Sequence, residues 1–149
     1  MQTDQDPSNQ IAANNNTVFT LQQQVLDRSN LSFIFVNRQT VGNPEFDHSQ
    51  DEFNRVLGLD FNLASKSNRW TGRTFFHNSF SPAQKQEAYA SGIRFNYNAK
   101  VHSISYGGTR IGKNYQSDLG FIRRTGILKN YFRYTYRIWL KSKILRSIN

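Results

Sequence analysis

Two short pairs in this chain carry the side-chain types of nucleophilic catalysis, His77 with Ser79 and His102 with Ser103. A serine attacks when a histidine takes its proton and a third polar group orients that histidine, and Asp60 or Asn62 would supply the third group from a neighbouring strand. The spacing works against both pairs. Side chains alternate between faces along an extended strand, so adjacent His102 and Ser103 point apart, and His77 and Ser79 share a face only where the strand is regular. His48, His77 and His102 show no metal-ligand spacing, and the absence of cysteine removes thiolate sites and disulfides. The expectation is a non-enzymatic protein with no catalytic residue, no metal site and no cofactor.

Phosphate chemistry is the next candidate, because 107–126 is rich in glycine and basic residues. Neither the order GxGxxG nor GxxxxGK[ST] occurs there, and no helix follows to offer its N-terminus. Gly107, Gly108 and Gly112 read instead as a bend or bulge where a strand leaves a sheet. The charge is unevenly placed. From residue 101 onward stand Arg110, Lys113, Arg123, Arg124, Lys129, Arg133, Arg137, Lys141, Lys143 and Arg146 against Asp118 alone, whereas the first hundred residues balance to zero. A basic strand interleaved with aromatics, such as 131–141, has the makings of a nucleic-acid contact through phosphates and base stacking.

The elements that must position these groups are strands. Apolar and polar residues alternate over 17–26, 31–37, 53–63, 69–80, 88–97, 101–107 and 129–141, with turn-forming clusters at 27–30, 65–68 and 98–100. Residues 42–52 hold Pro44 and four acids, which predicts a solvated loop, and 1–16 read as a flexible polar lead-in. Nothing has the length of a crossover helix, so the fold class is an all-β antiparallel meander, with about seven strands in 17–149.

Composition bears on what the apolar faces meet. The 149 residues are only 37% hydrophobic with mean hydropathy −0.68, yet 14% are aromatic. That balance suits the wall of an outer-membrane-type β-barrel, whose lumenal residues are polar and whose rims carry aromatic girdles. In such a wall Leu57, Leu59, Phe61, Leu63, Ile93 and Phe95 are the candidate lipid-facing residues. Arg28, Arg38, Arg55, Asp60 and Arg94 are candidate lumen or register charges, the arginines pairing with Asp27 and Asp60, and Trp70 and Trp139 are candidate interface anchors. The first ten residues have neither the basic nor the apolar region of a signal peptide.

The stretches at 24–30, 35–39 and 54–61, and above all Gly112-Lys-Asn-Tyr-Gln-Ser-Asp-Leu-Gly-Phe-Ile-Arg-Arg-Thr-Gly126, resemble the C-terminal region of the DUF5916 family. The likeness runs over about residues 18 to 140, with Gln116-Ser117 where relatives tend to carry a proline-acid pair. It implies a fragment of a bacterial outer-membrane β-barrel that has transport or anchoring duty. Its partners would be membrane lipid, the remainder of the barrel and an N-terminal β-sandwich resembling carbohydrate-binding modules. Two other readings compete. One is a soluble basic β-domain that binds nucleic acid through the C-terminal third, and the other is a barrel resembling outer-membrane lipid hydrolases.

Overall fold

A period of two, repeated between short turns, builds a single antiparallel sheet in which every strand pairs with its sequence neighbours. The computed structural model describes residues 1–6, 8, 11–42, 52–83 and 86–139. Within them the strands are β1 (Gln2–Thr3), β2 (Asn14–Val25), β3 (Ser29–Thr40), β4 (Phe53–Ala64), β5 (Trp70–Phe80), β6 (Tyr89–Asn98), β7 (His102–Ile111) and β8 (Ile127–Tyr136). His48, Lys141, Lys143, Arg146 and most of the expected acidic loop lie outside the described residues. The tight turns form where expected. Asn68, in the β4–β5 turn, takes a positive φ of 54°, a conformation asparagine tolerates better than most residues. Leu26, in the β2–β3 turn, takes a φ of 59° without that advantage.

Register sorts the side chains into two faces, because directly opposed residues of antiparallel strands lie on the same side. One rung runs Leu21, Phe33, Leu59, Phe76, Ser91, Arg110, Leu128 from β2 to β8. The rung beside it, on the other face, runs Thr20, Ile34, Gly58, His77, Ala90, Ile111, Ile127. The first face is apolar, and the alternation expected for Leu57, Leu59, Phe61 and Leu63 places all four on it. It is nonetheless left open, with Leu59 54% exposed while its β4 neighbour Val56 is 3% exposed.

The core lies on the second face. Residues 112–126, between β7 and β8, fold back across it as a strap whose ends meet where the Gly126 N–H donates to the Gly112 carbonyl. Tyr115 of the strap packs with Val56 and Ala90, and Val36, Phe75, Ile111 and Ile122 gather around them. Gly112 fits there because it has no side chain. Its N–H donates to the Tyr89 carbonyl at 2.8 Å, and a Cβ would run into the Glu87 backbone.

Two expectations are corrected by this architecture. The meander is real, but among the described residues no strand touches any but its sequence neighbours, so the sheet stays open with β1 and β8 as its edges. An unclosed sheet leaves a row of backbone N–H and C=O groups unpaired along each edge, which hydrocarbon does not tolerate. The barrel wall, the outer-membrane location, the lipid partner and the transport or anchoring role that depended on closure therefore fall together, as does the lipid-hydrolase-like barrel. No helix among the described residues is long and apolar enough to cross a membrane. The second correction concerns Gly107 and Gly108, where no bulge forms and the pairing of β7 with both neighbours runs through in unbroken register.

Candidate nucleic-acid interface

Strap and sheet are joined by polar groups that the sheet alone would leave unpaired. Asn54 on β4 does most of this, its Nδ2 donating to the Gln116 carbonyl at 3.3 Å while its Oδ1 accepts from the Asp118 N–H at 3.2 Å. Ser79 on β5 accepts from the Gln116 N–H at 3.2 Å and donates to the Ala88 carbonyl at 3.2 Å. Arg38 on β3 completes the seam, its Nε 2.6 Å from the Asp118 carboxylate and one Nη donating to Asn14 at 3.0 Å. Arg38, Asn54 and Ser79 are all buried. Burial also pushes the Tyr115 phenol above its ordinary value of 10.0, so the ring stays neutral at physiological pH.

In this seam the Ser79 hydroxyl is committed in both directions to backbone. His77 does share its face, but its imidazole lies over Gly58, with Nε2 3.5 Å from an Asp60 oxygen. His102 Nδ1 sits 2.7 Å from the Tyr134 hydroxyl, away from Ser103, which donates to Asn98.

Beyond the strap, the same face is left uncovered by the described residues over β5 to β8 and is basic. Arg73 and Arg94 stand directly opposite each other, and the rung continues through Gly107 to Tyr131. Three aromatic rings of this face lie across glycines of the adjacent strand. His77 covers Gly58, Phe75 covers Gly92 and Tyr131 covers Gly107, each directly opposed in register. A side chain at any of these glycines would displace the ring, so the glycines that read as a bulge in sequence serve as floors for flat aromatic groups. Arg73, Phe75, Arg94 and Tyr131 thereby line a small depression of about 110 Å³. On the same face of β8, Lys129 and Arg133 flank Tyr131, each about 7 Å away along the strand.

The depression carries excess positive charge. Like charges directly opposed on a sheet repel, and here one carboxylate, Asp60, 3.2 Å from Arg73, stands against the pair. Arg94, Lys129 and Arg133 have no acidic partner among the described residues.

The expected lumen or register charges are only partly brought together. Asp60 and Arg94 do share this face, but the pairs that form are Arg73 with Asp60 and Lys66 with Asp27. Arg28 is exposed in a turn, donating to the Lys66 carbonyl. Arg55 lies on the apolar face, hydrogen-bonded to Asn37 and Gln39 and over the Phe53 ring. Arg38 is the buried seam residue. Ile93 and Phe95 lie on the apolar face with the β4 leucines. Trp70 packs there at a tilt against Tyr97, 4.2 Å between centroids, and the Trp139 indole donates to the Lys100 carbonyl beyond β8. Missed in the sequence were Phe75, Tyr131 and Arg73 as one site. A glycine one strand away from each aromatic was the available signal, and only register reveals it.

Comparison with known protein families, curated proteins and solved structures finds no match to this chain. The resemblance to the DUF5916 barrel region is overturned by that result together with the open sheet, and with it goes the implied link to a carbohydrate-binding sandwich.

Proposed function

We propose that this protein is a non-enzymatic module that binds single-stranded nucleic acid on the uncovered, basic part of its strap face, across β5 to β8. One observation carries the reading, namely the rung in which Arg73 opposes Arg94 and ends on the flat ring of Tyr131, with Lys129 and Arg133 to either side. Cations without carboxylate partners attract phosphates at little desolvation cost, and an exposed aromatic ring offers a stacking platform that any base can use. The shape of the site favours a single strand. An exposed ring such as Tyr131 on a sheet face can stack a splayed base, whereas a duplex keeps its bases stacked out of reach.

Affinity for an oligothymidylate measured across a salt series tests this. Binding should weaken as salt rises, and the Arg94→Gln, Arg133→Gln double variant should flatten the log–log slope by about 1.4, at roughly 0.7 for each phosphate no longer neutralised. Tyr131→Ala should lower affinity by about 1 to 3 kcal/mol without changing the slope. A salt slope identical in wild type and double variant, or no binding at low salt, removes the proposal.

A further inference from the structure

Between the strap and the sheet lies a second cavity, of about 380 Å³, within the size range of small-molecule sites. Its floor is Phe75, Ala90 and Ile111 of the sheet, Ile122 of the strap covers it, and Phe121 stands at its rim. Arg123 and Arg124 line its strap side. The strap is held unevenly around this space. Residues 115–118 carry all its side-chain hydrogen bonds to the sheet, and residues 119–125 make none among the described residues. Phe121, at the mouth, is 93% exposed, a phenyl ring left in water beside an apolar hollow.

We infer that this cavity is a binding site for a small amphipathic carboxylate, its hydrocarbon body between the strap and the sheet and its carboxylate at Arg123 and Arg124. The walls fit the body, since apolar surface gains by leaving water. The two arginines fit the head, as neither has an acidic partner among the described residues and a guanidinium takes a carboxylate in a two-pronged hydrogen bond. An occupant would also give Phe121 an apolar neighbour. The inference does not rest on nucleic-acid binding: Phe75 lines both hollows, but Arg94, Arg133 and Tyr131 take no part in this one.

The experiment is a titration of the whole chain with decanoate and, separately, with the uncharged decanol, followed by amide chemical shifts. Decanoate should bind saturably, with shifts concentrated at Ala90, Ile111 and residues 115–127. The exposed double variant Arg123→Gln, Arg124→Gln, checked for an unchanged spectrum in the free state, should weaken decanoate about tenfold or more and leave decanol unchanged. Shifts that map instead to Leu57, Leu59 and Phe76 would assign the binding to the open apolar face and overturn the inference. So would non-saturating binding, or equal decanoate affinity in the variant and the wild type.

Discussion

The two faces of this sheet share their strands and differ in what is buried. On one face Leu57, Leu59, Phe61 and Phe76 form an apolar surface with none of the described residues folded over it. On the other, glycines alternate with aromatic rings, and the buried positions include Asn54, Ser79 and Arg38. Burial here follows the strap rather than hydrophobicity. A polar side chain tolerates burial once each of its hydrogen-bonding groups finds a partner, and the strap supplies most of them, its backbone at Gln116 and Asp118 for Asn54 and Ser79 and the Asp118 carboxylate for Arg38. The apolar face has no equivalent cover among the described residues, and Leu57, Leu59 and Phe76 stay 40 to 54% exposed there.

Substitutions that act on one face alone sharpen this contrast. The largest effect is expected from Arg38→Met, which leaves the Asp118 carboxylate, 19% exposed in the seam, with the Gln116 amide but without its guanidinium. Breaking such a pair from one side should cost about 3 kcal/mol in a urea unfolding experiment. A loss near zero would mean that the strap is not fastened there. Next comes Gly58→Val, which sets a branched side chain where His77 and Ile34 already touch and should cost about 1 to 3 kcal/mol by the same measurement. The smallest effect is reserved for Leu59→Arg on the apolar face. In a membrane wall that change would cost about 2 to 4 kcal/mol; on an uncovered face it should shift stability by no more than about 0.5 kcal/mol. A large penalty at Leu59 would show that something covers this face in solution.

Much of the scaffold was legible because strands and turns are local matters. The alternation Leu57, Leu59, Phe61, Leu63 identified a face correctly, and the clusters at 27–30, 65–68 and 98–100 mark true reversals. Strand ends were less legible. β2 begins at Asn14 because Asn14 to Asn16 pair with Thr40 to Arg38, a preference set by the partner strand. Closure was not legible at all, since a barrel wall and an open sheet write the same period of two. The seam escaped notice for a related reason. Asn54 and Ser79 look like ordinary polar-face residues until Gln116 and Asp118 arrive from more than thirty residues away. The stretch from Gly112 to Gly126 did stand out in the sequence, but what distinguishes it is a fold-back over the sheet rather than a phosphate loop.

The strap also changes how the molecule can come apart. A meander is close to a one-dimensional array in which each hairpin leans only on the next, so strands can be lost from either end one at a time. Arg38, Asn54 and Ser79 tie three consecutive strands to a single connector, across sequence separations of 80, 64 and 37 residues. Those ties, with Ala90 of β6 packed under Tyr115, turn the middle of the array into one cooperative block, β3 to β7 with the strap and the start of β8, that opens as a unit. Only β1, β2 and the far ends of the hairpins are left to fray alone. Amide exchange along this chain should therefore show a plateau in the middle instead of a gradient, because the strap acts on the sheet as a clasp acts on a row of links.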